Sequence, residues 1–176
     1  MKIMTNKEKF EKLLAWGEEG EKIIGELLLQ EGWFVQPLYQ YEKKKTPYIF
    51  YYNGDVIKII APDISIIKEG QLLFVECKRK NEWVKDWRGI GSLETGFNNS
   101  QLLSYLKTYD LTKIPIEVYF IQEEMEPIGI YKLRIDSMTR DRLLFEPSFR
   151  RIDYMTANGK EVCMSFFDIK DLIKVK

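Results

Sequence analysis

The chain of 176 residues has no histidine and only two cysteines, Cys77 and Cys163. A histidine general base is excluded by inventory, and so is a zinc site, because the cysteines lack both paired spacing and imidazole partners. Net charge is missing too: 27 lysines and arginines balance 27 aspartates and glutamates, so no long-range field gathers a polyanion. Any nucleic-acid contact must then rest on local patches, with weak non-specific affinity. No apolar run approaches the length of a membrane span, and the charged start MKIMTNKEKFEKLLAW has no signal-peptide core. The expectation is a cytoplasmic protein with reduced thiols and no membrane partner. Repeats, low-complexity tracts and Pro/Gly-rich linkers are also absent, so one domain is expected over 1–176, with a core at about 6–135 and a C-terminal elaboration at about 136–176.

What is present is a globular composition, 45% hydrophobic and 31% charged. Phe10, Leu13, Leu14, Ile24, Leu27 and Leu28 recur at helical spacing and predict a helix from about Asn6 to Gln30, closed by Gly32. PYIFYYNGDVIKII reads as a hairpin turning at Asn53-Gly54. Ile64 to Ile67 and Leu72 to Cys77 make a second strand pair joined by KEG, and Gly89 to Asn99 reads as a polar loop. SQLLSYLKTYD is a helix capped by Ser100 or an adjacent asparagine. IEVYFIQ, apolar on both faces, is a buried strand, and IGIYKL is a further one. DSMTRDRLLF suggests a short helix, and EVCMSFFDIKDLIKVK a strand leading into a last short helix.

The unusual feature is APDISIIKEGQLLFVECKRK, two apolar strands with Asp63 at the start of one and Glu76 and Lys78 at the end of the next. Side chains alternate along a strand, so Glu76 and Lys78 share a face while Val75 and Cys77 take the other. A short hairpin brings Asp63 beside Glu76. Two carboxylates this close repel, and one binds a proton unless a cation lies between them. Oxygen ligands favour Mg²⁺ or Mn²⁺, and an adjacent lysine steadies a nucleophilic water and charge developing on a phosphate. The plainer reading makes Asp63 a loop residue and CKRK a solvated strand end. A third acid bears on the choice: Glu21 falls between Leu14 and Leu28, in the middle of the apolar stripe of the first helix, where a carboxylate is costly unless paired or near a metal. A salt bridge to Lys78 is its plain explanation.

With Glu21, Pro62-Asp63 and the Glu76-Cys77-Lys78 triplet, the sequence resembles the PD-(D/E)XK nuclease superfamily, in the subset similar to Holliday-junction resolvases and phage nucleases. The likeness spans roughly Gly17 to Gln122 and includes the order of elements. It implies an α/β, restriction-endonuclease-like core: a helix, antiparallel strands, a helix, then a strand parallel to its neighbour, around a central mixed sheet. It also implies a Mg²⁺- or Mn²⁺-dependent nuclease that hydrolyses DNA phosphodiester bonds and forms a homodimer as many relatives do. Asp63 and Glu76 would be metal ligands with the Cys77 backbone carbonyl as a third, Lys78 the catalytic lysine and Glu21 the accessory acid. Gln101 and Tyr105, one helical turn apart, match a glutamine-tyrosine pair of the second core helix, which would make Gln101 a catalytic residue and Tyr105 a nucleic-acid contact.

Other features carry two readings each. Trp83 and Trp87, among Lys80, Lys85 and Arg88, suit either a flap that stacks on bases and touches phosphates or an amphipathic turn covering the sheet edge. Lys43, Lys44 and Lys45, and the later Arg140, Arg142, Arg150 and Arg151, are either phosphate contacts or solvated charges. The rival functions are a non-catalytic nucleic-acid-binding or regulatory module on the same fold, and an unrelated α/β interaction protein with a structural Glu-Lys ion pair.

Overall fold

The computed structural model describes residues 5–38, 48–85, 91–145, 150–155 and 161–176. Helix α1 (Asn6–Gln30) begins at a reciprocal cap, where the Glu8 amide donates to the Thr5 hydroxyl and the Thr5 amide donates to the Glu8 carboxylate. At its other end Gly32 turns the chain at φ +82°, left-handed backbone that favours glycine. The helix buries Ile24 and Leu28. Leu13, expected on the same stripe, is instead 64% exposed, because it precedes the turn held to the sheet, where Arg79 donates to the Trp16 carbonyl.

The strands that follow are β1 (Phe34–Pro37), β2 (Tyr48–Asn53), β3 (Asp55–Ile60), β4 (Ile64–Lys68), β5 (Gln71–Lys80), β6 (Val84–Lys85) and β7 (Leu93–Asn98). Helix α2 (Asn99–Thr112), β8 (Ile116–Gln122), β9 (Gly129–Ile135), α3 (Arg140–Phe145), β10 (Arg150–Met155), β11 (Glu161–Asp168), a 3₁₀ turn (Ile169–Asp171) and β12 (Ile173–Lys174) complete the order. Among the described residues the main sheet is six-stranded, β1-β4-β5-β8-β9-β12, and mixed, since β5 and β8 run parallel while their outer neighbours are antiparallel. The class is α/β. A parallel pair requires a long crossover, and β6, β7 and α2 form it.

Alternation along β5 and β8 creates two cores. Val75, Tyr119 and Ile121 face α1 with Ile24 and Leu28, while Phe74, Val118 and Phe120 face Leu102, Tyr105 and Leu106 of α2. Over the α2 side lies a second sheet, β10-β11-β7-β6, whose Phe97 and Phe167 stack near Phe120. The expected loop of 89–99 thus contains a strand, β7, whose buried Glu94 and Thr95 conceal its character in the sequence. Gly96 allows the β7–β11 approach, because a Cβ there would sit 2.1 Å from the Ser165 carbonyl oxygen.

The segment after Ile135 is woven into both sheets: β11 pairs with β7, and β12 covers the β9 edge. Its basic cluster is corrected in part. Arg140 bonds Asp110 of α2 and, within α3, Asp141, both at 2.7 Å, and Arg142 lies 3.3 Å from Asp171, so these guanidiniums are engaged in ion pairs, two of which tie α3 to its neighbours. The side chains of Arg150 and Arg151, and the whole of Lys43, Lys44, Lys45, Trp87 and Arg88, lie outside the described ones. No described helix is long and apolar enough to cross a membrane.

Candidate active site

The β4–β5 turn at Glu69-Gly70, both at positive φ, sets a register in which Ile64 faces Val75. One step beyond, Asp63 stands against the Glu76-Cys77 segment, and the Cys77 amide donates to Asp63 Oδ2 at 2.9 Å. Glu76 and Lys78 share the α2-side face of β5, and Lys78 Nζ lies 2.5 Å from Glu76 Oε1. Tyr105, buried on α2, stands beside Glu76, whose charge helps push its phenol up after burial. Glu76 itself is only 4% exposed, with the Lys78 ammonium against its carboxylate.

The electrostatics show an excess of buried acid. Burial pushes the Asp63 carboxyl well above the usual carboxylate range, with Glu76 adding to it and Lys78 opposing. Glu21, reaching from α1, is raised to about 7 by burial first, then by Glu76 and Glu18. Burial lowers Lys78, but Glu76 and Asp63 outweigh it and leave its ammonium above the ordinary lysine value. The plainer alternative for Glu21, a salt bridge to Lys78, is not formed: the ammonium goes to Glu76, which is on its own strand and face.

A second buried acid makes the contrast plain. Glu117, at the start of β8, accepts from Tyr119, Lys132 and Arg134, two of them cations, as a structural carboxylate does. The Asp63, Glu76 and Glu21 group has one lysine for three acids, and a divalent cation relieves such a set. Its donors are all oxygens, which suits Mg²⁺ or Mn²⁺. Among the described residues no group of three or more His, Cys, Asp or Glu side chains stands close enough to enclose a metal. A groove of about 550 Å³ opens beside Glu21, lined by Glu18, Lys22, Val35, Pro37 and Ile64.

The remaining candidates divide. Gln101 is partly exposed on the first turn of α2, one turn before Tyr105. Lys80 is on the same face as Lys78, and burial, then Lys78, lowers its ammonium to about 8. Lys85 is exposed. Trp83 is corrected as a base-stacking residue: it is 3% exposed, packs edge-on against Tyr131 and donates its indole N–H to the Pro127 carbonyl, so it covers the sheet. Tyr105 is corrected as a nucleic-acid contact, since it is buried in the core beneath α2.

Reading the sequence alone missed Arg79. It points to the opposite face from Lys78, bonds Glu19 of α1 and Glu123 after β8, and stacks on Trp16, so it fastens the helix bearing Glu21 to the strand bearing Glu76. Alternation along CKRK was the signal available. In comparisons with known proteins, no family model, curated protein or solved structure matches the chain.

Proposed function

We propose that the protein is a divalent-metal-dependent nuclease of the PD-(D/E)XK type, acting on DNA from a restriction-endonuclease-like core. The observation that carries this reading is the meeting of Asp63 with Glu76 and Lys78 at adjoining strand ends, with Glu21 near enough to feel both. Asp63 and Glu76, with the Cys77 carbonyl, would hold Mg²⁺, which when bound polarises the phosphate and acidifies water. Lys78 orients the attacking water and offsets charge growing on the phosphate in the transition state. Tyr105 stands beside the Glu76 carboxylate, and Gln101 sits one turn away toward the helix start. Glu21 contributes a third carboxylate, raised to about 7, whose ionisation near neutral pH a bound cation would favour.

The test is cleavage of labelled linear duplex, nicked circle, single strand and four-way junction with Mg²⁺ or Mn²⁺, beside Glu76→Gln. Cutting that needs both metal and Glu76 supports the reading. No cutting, together with no metal-dependent rise in melting temperature, overturns it.

The Lys78–Glu76 contact favours a second reading, a structural ion pair in a non-catalytic protein. In that case Lys78→Met destabilises the fold, and divalent metal leaves the melting temperature unchanged.

A further inference from the structure

We propose that the outward face of the β2–β3 hairpin is a stacking platform for single-stranded nucleic acid, delivering a strand to the Asp63–Glu76 site. The proposal deepens the nuclease reading and rests on it for the chemistry, though the binding it describes is measurable without cleavage.

The register pairs Tyr48 with Ile60, Phe50 with Lys58 and Tyr52 with Val56; Ile60, at the hairpin base, packs against the core, while the other five side chains are exposed on one face. The opposite face is turned inward, where Ile59 is buried and Ile49 packs against the larger core. A hairpin needs only one apolar face to be anchored. Here the other face also holds large apolar groups: Tyr48, Phe50 and Tyr52 are 43%, 68% and 74% exposed, and Val56 is 68% exposed. An apolar stripe left in water marks an interaction surface.

Three features choose the occupant. First, the stripe is aromatic where an ordinary protein contact would accept aliphatic residues, and base faces stack on aromatic rings whatever their sequence. Second, alternate residues of a strand lie about 6.6 Å apart, nearly twice the ~3.4 Å rise of stacked bases along one strand of a duplex. The rings therefore match an extended, unstacked strand and not a double helix. Third, the one charge on this face is positive: Lys58 carries its ammonium 3.5 Å above the centre of the Tyr48 ring, so it covers that ring and offers a cation to a phosphate beside the open rings of Phe50 and Tyr52. The acid of the hairpin, Asp55, belongs to the other face.

The platform is joined to the site by short, fixed links. β3 ends at Ile60, and Asp63 follows three residues later. The Thr108 hydroxyl donates to the Ile60 carbonyl at 2.7 Å, which ties the hairpin base to α2, the helix whose Tyr105 stands beside Glu76. A strand lying along Tyr52, Phe50 and Tyr48 is thus led toward the carboxylates.

The experiment is a fluorescence-anisotropy titration of the full chain with a labelled oligothymidylate, and with a duplex of equal length, in EDTA so that nothing is cut. The single strand is expected to bind more tightly than the duplex. The double variant Phe50→Ala/Tyr52→Ala is expected to weaken single-strand binding at least tenfold, the loss that unstacking one or two bases produces, while Phe50→Trp retains it and the melting temperature stays unchanged. Unaltered single-strand binding in the double variant overturns the proposal. So does a change of sedimenting mass with unaltered binding, which would make the face a contact between two copies. Should the double variant fail to fold, Tyr52→Ala alone, at the most exposed ring, gives the same readout. Metal-dependent cleavage with no hairpin effect sinks this proposal alone. A hairpin effect without cleavage or metal response supports it and sinks the nuclease chemistry.

Discussion

Glu76 carries the largest consequence of any single side chain, because it is buried with the Lys78 ammonium against it and Tyr105 beside it. Glu76→Ala leaves Lys78 buried without its nearest partner, at a cost of about 3 kcal/mol. Loss of activity in that variant therefore mixes chemistry with folding. Glu76→Gln keeps the shape and an oxygen beside the Tyr105 hydroxyl, and is expected to fold while losing at least a hundredfold in cleavage and the thermal response to Mg²⁺; differential scanning fluorimetry beside a nuclease assay checks both. Tyr105→Phe removes the hydroxyl beside Glu76 and is expected to keep the fold while lowering cleavage about tenfold, by altering the surroundings of the carboxylate. Glu21 gives the pH dependence. Its folded pKa, about 7, lies above the ordinary carboxylate value, so the folded chain holds a proton that the unfolded chain has released, and stability falls as pH rises from about 4.5 through 7. Asp63 acts in the same direction. The metal-free melting temperature is expected to drop between pH 5 and 8, and Glu21→Gln to flatten that profile.

At the scale of elements, the site depends on how α2 and β7 meet the main sheet. Asn98 caps α2 by accepting from the Ser100 amide at 2.9 Å, and Asn98→Ala is expected to cost about 1 kcal/mol, visible in urea unfolding. The β7–β11 pairing is less forgiving. Gly96→Ala drives a methyl into the Ser165 carbonyl, so the strands must part, and the expected cost exceeds about 3 kcal/mol, read as loss of soluble folded protein. Helix α1, hairpin β2–β3, the β4–β5 pair, α2, β8 and β9 were legible in the sequence because their periods, caps and turn residues are local. The strand β7 was not, because Gly96 and the polar Glu94 and Thr95 read as a loop until β11 supplies a partner. The same holds for β1, whose four residues are a strand by virtue of pairing with β4.

For the molecule as a whole, metal is expected to act as a ligand of the folded state only. With a dissociation constant near 1 mM, Mg²⁺ at about 10 mM adds about 1.4 kcal/mol, a rise of about 3–5 °C for a chain of this size. The rise is expected to be larger at pH 8 than at pH 5, since protons compete for Asp63 and Glu21. Calorimetry at the two pH values checks it, and equal shifts would remove these carboxylates from metal binding. The bulk charge balance adds a constraint at this scale: with 27 charges of each sign, the proposed nucleic-acid binding would have to come from local groups such as Lys58 and Lys78.

By itself the sequence determined the helices, the hairpins and the two acids and lysine at strand ends, because alternation and turn chemistry act over a few residues. It also excluded histidine and zinc chemistry by composition. Tertiary structure decided which face each side chain meets. It turned Trp83 inward onto Tyr131, sent the Lys78 ammonium to Glu76 rather than Glu21, and placed Tyr105 beside the same carboxylate. It left Tyr48, Phe50 and Tyr52 in water on a hairpin that looked, residue by residue, like any other. The physical reason is that burial and charge pairing depend on neighbours distant in the chain, and only the packed sheets fix who those neighbours are.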